Sequence, residues 1–388
     1  MEKPQITLII SLLPVFMLSA SAVYTINVAH FGAKSDGKTD STQAFLKSWI
    51  SACSSKRPVL IYVPHGRYLL RQVHFSGPCR NNEIHFTIRG TLIAPSYQVL
   101  NTANWILFSK VNGVSIVGGR LDARGTSFWD CRATRKRCPN GAKSLAFYDG
   151  SNIKIKSLTS INSQLSHIAI NSCNNVSMQG VNILSPADSP NTDGIQIQYS
   201  TGVTILGTNI KTGDDCVSVG PGSKNVWIEG SNCGPGHGIS IGSLGKTRVE
   251  QGVRNVTVKN VVFTESDNGL RIKTWARPSN GFVEGVLYQD IIMENVKNPV
   301  IIDQHYCPRR HGCSGQESGI KISQVTYRNI RGSSATQVAM SFDCSRTNPC
   351  KGIKLQTVKL TYRNQIAKST CHNADTMSTG SVLPESCL

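Results

Sequence analysis

Apolar and polar residues alternate in short segments along most of the chain, and Gly, Asn, Ser and Pro separate these segments. Alternation with a period of two is typical of β-strands with one buried face. Residues 40–54 differ, because Phe45, Trp49 and Cys53 recur with a helical period and Asp40 is in position to cap a helix. The pattern therefore predicts an all-β chain with one convincing helix, near its N-terminus.

The strand segments repeat. A small or polar residue, then Val or Ile, any residue and an apolar residue recur at Gly113, Asn152, Asn175, Gly202, Asn225, Asn255, Gly319 and Gly352. A second pattern interleaves with the first, in Asp193-Gly-Ile-Gln-Ile, Asp215-Cys-Val-Ser-Val, His237-Gly-Ile-Ser-Ile and Asn268-Gly-Leu-Arg-Ile. Repeats of this length indicate a solenoid or a propeller, and two or more short strands per period favour a parallel β-helix. The helix would then cap the open end of the stack.

The second pattern places polar residues in one column. Asp193 and Asp215 are 22 residues apart, and so are Asp215 and His237. If one coil takes this length, the three side chains stack on one face, each just before a strand. The next coil brings Arg271 and Lys273, which alternate in a strand and so point to the same side. Carboxylates, an imidazole and cations together suit an anionic substrate that is cleaved by acid and base.

Asp214 and Asp215 are neighbours in the chain, and a regular strand would send them to opposite faces. A turn or bulge at Gly213 would allow both carboxylates to enter one cleft. Paired carboxylates push their pKa values apart, which gives the acid and the base that glycoside hydrolysis needs. The alternative is that Asp193, Asp214 and Asp215 are turn residues only, since Asp-Gly and Gly-Asp favour turns.

The N-terminus predicts a secreted protein. Lys3 precedes an apolar run over residues 6–18, and Ala20-Ser21-Ala22 follows it. This is the layout of a signal peptide over residues 1–22, with residues 23–388 as one β-helix domain. A membrane anchor is the alternative, but Pro14 and the shortness of the run oppose it.

The cysteines support an oxidising, extracellular compartment. All 13 lie after residue 22. Close spacing predicts the pairs Cys131–Cys138, Cys307–Cys313, Cys344–Cys350 and Cys371–Cys387, and Cys53–Cys79 and Cys216–Cys233 are plausible longer loops. Because 13 is odd, at least one thiol is expected to stay free or to pair between chains, and Cys173 is the candidate. No spacing of Cys or His is typical of zinc, so no metal and no cofactor are expected. Asn175 and Asn255 begin Asn-X-Ser/Thr sequences and are candidate glycosylation sites.

The formal net charge of +18 favours an anionic partner. Nucleic acid, an acidic lipid surface and an acidic polymer all fit the charge alone.

The motifs Asn191-Thr-Asp-Gly194, Gly213-Asp-Asp215, Gly236-His-Gly238 and Arg271-Ile-Lys273 occur in this order. Together they closely resemble the four motifs of the polygalacturonases, glycoside hydrolase family 28. The likeness extends to residues 30–40 and to Ile302-Asp-Gln-His-Tyr-Cys307, and is greatest with the plant members. It implies a single-stranded right-handed parallel β-helix that hydrolyses α-1,4 bonds of polygalacturonate with inversion.

The resemblance also implies a role for each site residue. Asp214 resembles the general acid, and Asp193 with Asp215 resembles the pair that activates the attacking water. In inverting enzymes the acid and base carboxyl groups lie about 6.5–9.5 Å apart. His237 resembles a residue that tunes the acid. The residues that would bind substrate are Arg271, Lys273, Tyr306 and Asn191.

The implied partner is an acidic polysaccharide of the plant cell wall, polygalacturonate or pectin, rather than nucleic acid or, after signal cleavage, a membrane. The protein is expected to be a monomer. The loop with Arg132, Arg135, Lys136 and Arg137 is predicted to contact pectin. A rhamnogalacturonan or xylogalacturonan hydrolase, a pectate lyase and a non-catalytic binding protein are the alternatives, and the sequence leaves endo and exo action open.

Overall fold

The computed structural model describes residues 23–100, 102–134, 137–308, 313 and 315–386. The predicted signal peptide and the predicted cleavage point at residue 22 lie outside these residues. Within them, no helix has the length and apolarity needed to cross a membrane.

The described chain is a solenoid of short strands that form two sheets along its length. Strands pair in parallel with the coils before and after them, apart from one short antiparallel pair between Cys350–Tyr362 and Gln365–Ile366. The predicted parallel β-helix is confirmed.

The larger sheet has 20 strands in the described residues and covers two sides of the coil. A long strand such as Val253–Thr264 passes round the bend and pairs with both short strands of the preceding coil, Lys224–Glu229 and Asn232–Cys233. The strands are Tyr24–Asn27, Asp36–Asp40, Val59–Val63, Arg67–Leu69, Ile84–Ile93, Val114–Asp122, Ser151–Lys156, Thr159–Ile161, Asn174–Gln179, Asn182–Leu184, Thr201–Leu206, Asn209–Lys211, Lys224–Glu229, Asn232–Cys233, Val253–Thr264, Phe282–Val296, Lys321–Ser334, Cys350–Tyr362, Gln365–Ile366 and Ala374–Leu383.

The smaller sheet has 11 strands in the described residues and forms the remaining side of the coil. We call it the cleft sheet, because its solvent face carries the predicted site. Its strands are Val73–Ser76, Asn104–Ser109, Lys143–Tyr148, Ile168–Asn171, Ile195–Gln198, Val217–Val219, Ile239–Leu244, Asn268–Trp275, Asn298–Tyr306, Val338–Asp343 and Lys368–His372.

The repeat sets the core. In the first pattern, the Val or Ile of each coil pairs in register with that of the next, as in Val176, Val203 and Val226. All three are at most 2% exposed, so the pattern marks an inward apolar column. The residue before each one has a positive φ, for example 66° at Gly202 and 54° at Asn225. Gly and Asn tolerate this left-handed conformation, which is why they recur there.

The N-terminal helix spans Thr42–Ser54 and is preceded by Ser41, not by Asp40 as predicted. Asp40 still contributes to the helix start, because its Oδ1 accepts a hydrogen bond from the Thr42 N–H at 2.9 Å. Trp49 lies 5.3 Å from Phe75 and 5.7 Å from Phe108 between ring centroids. The helix therefore covers the first coils of the apolar core, as expected of a cap.

The sequence pattern missed the other short helical segments. The described residues also contain a helix at Thr126–Ala133 and a 3₁₀ turn at Val28–Phe31. Thr126–Ala133 has no helical apolar period, and it is anchored by buried Phe128 and Trp129.

Five predicted disulfides are confirmed: Cys53–Cys79, Cys131–Cys138, Cys216–Cys233, Cys307–Cys313 and Cys344–Cys350. Cys371 is also disulfide-bonded, while its predicted partner Cys387 lies outside the described residues. Cys173 is a buried free thiol, as predicted.

Candidate active site

The register of the cleft sheet stacks the predicted column. Ile195 pairs with Val217, and Val217 pairs with Ile239. Asp193, Asp215 and His237 each lie two residues before one of these strand residues, so the predicted coil length of 22 residues is confirmed for these two steps. The following coil is longer, because Ile239 pairs with Leu270.

Asp215 lies between two cations. Its Oδ1 is 2.6 Å from Arg271 Nη2, and its Oδ2 is 2.7 Å from Lys273 Nζ. The side chain of Asp215 is only 2% exposed, and that of Lys273 is 8% exposed. The Ser240 hydroxyl donates to Asp215 Oδ1 at 2.8 Å and accepts from Arg271 Nε at 2.8 Å. Asp215 is therefore held in one orientation by three side chains.

Asp214 enters the same cleft as Asp215, as the predicted turn requires. Its Oδ1 accepts the Asp215 N–H at 2.8 Å and lies 3.1 Å from His237 Nδ1. Asn191 Nδ2 is 3.5 Å from Asp214 Oδ2. On its other side, His237 Nε2 is 3.6 Å from Asp267 Oδ2, and Asp267 pairs with a lysine, Lys297, at 2.6 Å. The imidazole thus lies between two carboxylates.

Asp193 is the third carboxylate of the site and is partly exposed. Its Oδ2 accepts a hydrogen bond from the Ser218 hydroxyl at 2.8 Å. Ser218 and Ser240 occupy equivalent positions in successive strands and bind equivalent aspartates one coil back.

The electrostatics separate the carboxylates. Burial acts to raise the pKa of Asp215, but the charges of Lys273 and Arg271 outweigh it and lower the pKa to about 2. Burial, together with the charges of Asp214 and Asp215, raises the pKa of Asp193 to about 7. The hydrogen bond to Asp214 raises the pKa of His237. Near neutral pH, Asp215 is ionised and the rest of the cluster can hold a proton.

The cleft above these residues has a volume of about 430 Å³. Two glycines, Gly220 and Gly242, line this cleft. A Cβ on Gly242 would lie 2.2 Å from the Lys273 carbonyl oxygen, and its φ is 107°. Asn191 and Tyr306 also line the cleft, and the Tyr306 ring lies 5.4 Å from Lys273 Nζ. All eight predicted catalytic and substrate-binding residues therefore converge on one part of the surface.

Asp214, Asp215 and His237 lie very close together. Single oxygens of Asp214 and Asp215 and a ring nitrogen of His237 lie within 4.8 Å of one another. Asp214 and Asp215 are consecutive residues of one turn, and this limits how far apart their carboxylates can lie. The spacing of about 6.5–9.5 Å expected between the acid and the base of an inverting glycosidase stays a prediction for Asp214 and Asp193.

Asp214, Asp215 and His237 have donor atoms close enough to bind a cation. However, both oxygens of Asp215 already contact cationic side chains, Arg271 and Lys273. A metal ion there would lie beside two positive charges, so we assign no metal to this cluster.

The sequence analysis did not identify Ser218 and Ser240. The signal was present, because each serine stands at the polar position of the second repeat pattern, one residue before its last apolar residue. In register, that position aligns Ser218, Ser240 and Arg271.

The predicted basic loop lies partly outside the described residues, because Arg135 and Lys136 are not described. Arg132 lies in the last turn of the helix Thr126–Ala133 and packs over the Phe128 ring at 5.3 Å. It lines a separate groove of about 490 Å³ rather than the catalytic cleft. Contact of this loop with pectin stays a prediction.

Comparison with known proteins shows the family of the chain. Residues 53–382 match the family described as glycosyl hydrolases family 28, and residues 25–77 match rhamnogalacturonase A/epimerase, pectate lyase-like. A polygalacturonase of Prunus persica is 58% identical over 98% of this chain and 98% of its own length. An exopolygalacturonase of Platanus acerifolia is 40% identical over 94% of this chain and 98% of its own.

Solved structures share the fold. An endo-xylogalacturonan hydrolase from Aspergillus tubingensis has a TM-score of 0.82 at 24% identity, covering 93% of this chain and 100% of its own. The chain is a glycoside hydrolase with a parallel β-helix fold. It belongs to glycosyl hydrolase family 28, and its predicted likeness to the plant polygalacturonases is confirmed.

Proposed function

We propose that this protein is a polygalacturonase that hydrolyses α-1,4-galacturonosidic bonds of polygalacturonate with inversion at the anomeric carbon. The observation that carries the proposal is the convergence of three carboxylates, an imidazole and two cations in one cleft. The family membership and the relative from Prunus persica support the same activity.

Asp193 and Asp215 activate the attacking water in different ways. A carboxylate with a pKa of about 2 is a weak base, so Asp215, fixed by Arg271 and Lys273, orients the water. Asp193 accepts the proton. Burial is the largest cause of its raised pKa, and it makes the ionised Asp193 carboxylate a stronger base than that of Asp215. The raised pKa comes partly also from the charge of ionised Asp214.

Asp214 is the general acid that protonates the leaving oxygen. His237 Nδ1, at 3.1 Å from Asp214 Oδ1, positions the carboxyl group and shares its proton. Asp193 instead accepts a hydrogen bond from Ser218, which favours its ionised form. One turnover thus moves a proton from Asp214 to the leaving sugar and a proton from water to Asp193.

Arg271 and Lys273 also bind the galacturonate carboxylate. Each uses part of its donor set on Asp215, and each side chain has further N–H groups. Tyr306 provides an apolar ring beside Lys273 for the sugar, and Asn191 contacts substrate next to Asp214.

Asp214→Asn and Asp193→Asn test the roles of acid and base. Both variants should lose at least about a thousandfold in kcat on polygalacturonate while still binding it in calorimetry. On an oligogalacturonide with an acidic aryl leaving group, which needs no protonation, Asp214→Asn should regain activity and Asp193→Asn should not. The reverse result would exchange the two roles, and full activity of Asp214→Asn would refute the mechanism.

We further propose that the protein is secreted and acts in the plant cell wall. The signal-like sequence over residues 1–22, the five disulfides in the described residues and the acidic polysaccharide substrate support this location. The N-terminus of protein recovered from the cell exterior should be at or near Val23. An intact Met1 on recovered protein would refute cleavage.

A further inference from the structure

Three cationic side chains converge beside the catalytic cleft. Lys246 and Arg248 belong to the loop after strand Ile239–Leu244, and Arg277 belongs to the loop one coil further on. They line a groove of about 390 Å³, which we call the cationic groove. Lys246 lines both this groove and the catalytic cleft, so the two spaces adjoin.

The loop that carries Lys246 and Arg248 is fixed by hydrogen bonds. The Glu250 carboxylate accepts the backbone N–H groups of Gly245 and Lys246, at 2.5 and 3.2 Å. The backbone of Asn280 donates to the Arg248 carbonyl at 3.1 Å, and its side chain accepts the Glu250 N–H at 2.9 Å. These hydrogen bonds hold the loop backbone against the next coil, and the side chains of Lys246 and Arg248 are exposed on it.

These cations have no acidic partner in the described part of the chain. Its ion pairs join other cationic side chains to the carboxylates, and none of them includes Lys246, Arg248 or Arg277. Unpaired cations around a concave surface attract an anionic ligand.

Aromatic rings connect the cationic groove with the catalytic cleft. Lys273 lies over the Tyr306 ring, and Tyr306 meets Trp275 edge-on with centroids 5.6 Å apart. The Arg277 guanidinium lies 5.2 Å from the Trp275 ring. A sugar chain leaving Lys273 would thus pass apolar rings on which its C–H faces can pack, and then reach Arg277.

We propose that the cationic groove is a second carboxylate subsite. It binds an unesterified galacturonate unit of the same sugar chain that Arg271 and Lys273 hold by another galacturonate unit. The inference rests on the proposed function. Arginine matches a carboxylate with a planar fork of donors, and a methyl ester carries no charge to pair with it. The groove would therefore favour de-esterified stretches of pectin.

The test uses Arg248→Gln with Arg277→Gln, because neither residue lines the catalytic cleft. The matched control is Lys154→Gln with Lys156→Gln, which removes the same charge from exposed positions on strand Ser151–Lys156. Binding of an unesterified oligogalacturonate to each protein is measured by calorimetry, and kcat and KM are measured in parallel. A further variant, Arg248→Lys with Arg277→Lys, keeps both positive charges but lacks the planar donor groups of arginine.

The groove variant should bind the unesterified oligomer about five- to tenfold more weakly and show a matching rise in KM. The control should be unchanged, the lysine variant should lie between them, and the methyl-esterified oligomer should not distinguish the proteins. Equal affinities of groove variant and control would overturn the subsite while leaving the hydrolase intact. Conversely, if binding depends on the groove but the wild-type protein does not hydrolyse polygalacturonate, the subsite stands and the proposed function is refuted. If the protein shows neither groove-dependent binding nor hydrolysis, the subsite and the proposed function are both refuted.

Discussion

Asp215 shows how single residues define this site. Its carboxylate is almost fully buried, and burial alone would favour the neutral acid. Arg271, Lys273 and Ser240 reverse this preference through direct contacts. Removing one partner of a buried charged group leaves that group without a hydrogen bond or counter-charge. The cost of the removal is therefore larger than the net stabilisation that the contact provides.

Ser240→Ala tests this arrangement. The variant removes a donor to Asp215 and an acceptor for Arg271, so we expect kcat on polygalacturonate to fall about tenfold. Steady-state kinetics give the value. Ser341→Ala is the matched control, because Ser341 lies in the same column of the cleft sheet, two coils beyond Arg271. Equal kinetics for both variants would contradict the proposed role of Ser240.

Asp193 should make the stability of the protein depend on pH. Its folded pKa of about 7 lies above the value of about 3.9 expected for unfolded Asp. The folded state therefore binds more protons between these values, and the free energy of unfolding should fall as pH rises through them. Asp215, with its lowered pKa of about 2, acts in the opposite direction and only below about pH 4.

Thermal unfolding from pH 4 to pH 8 measures this effect in the wild type and in Asp193→Asn. The variant lacks the titrating carboxyl, so its melting temperature should decline less with pH, by a few degrees. Parallel curves for the two proteins would show that Asp193 titrates normally.

The repeated strand is the element that explains both the success and the limits of the sequence analysis. The first pattern located the left-handed residue of most coils, because only Gly and Asn fit there readily. It failed at Gly319, where the left-handed residue of that coil is Gln324, φ 56°. It also missed Gly285, φ 68°, which is followed by a valine in register with Val256. The repeat pattern therefore reveals a left-handed position only where the coil has the usual Gly or Asn in the usual sequence context.

Asn225→Ala tests the left-handed column at the level of one coil. Alanine is strained at a φ of 54°, so the free energy of unfolding should fall by about 1 kcal/mol or more. Chemical denaturation gives this value. Asn225→Gly is the control, since it removes the same side chain, including the acceptor for Asn255 Nδ2, without the strain. If the two variants are equally stable, the side-chain hydrogen bond rather than the backbone explains the preference for Asn.

The sequence also predicts some features of the candidate site and not others. The identities of Asp193, Asp214, Asp215 and His237 followed from motif and spacing, because the coil length converts sequence separation into stacking. The pairing of Asp215 with Arg271 and Lys273, and the part played by the serines, depend on side-chain reach across the coils. The longer coil between Ile239 and Leu270 is set by the loop that carries Lys246 and Arg248, and no periodicity predicts its path.

At the scale of the whole molecule, the net charge of +18 is matched to a polyanion. The interaction of many exposed cations with a long acidic chain is screened once the Debye length falls to about 10 Å or less. KM for polygalacturonate should therefore rise several-fold between about 0.01 and about 0.3 M NaCl, and KM for a short oligomer should rise less. Salt titration with both substrates measures the difference, and equal slopes would confine substrate recognition to the cleft.

The central claim is that the carboxylate cluster on the cleft sheet hydrolyses galacturonosidic bonds with inversion. The most direct measurement is proton NMR of a de-esterified oligogalacturonate during the first minutes of digestion by the intact protein. We predict saturated products whose new reducing ends appear first as the β-anomer. New ends that appear first as the α-anomer, unsaturated products or an uncleaved substrate would contradict the account.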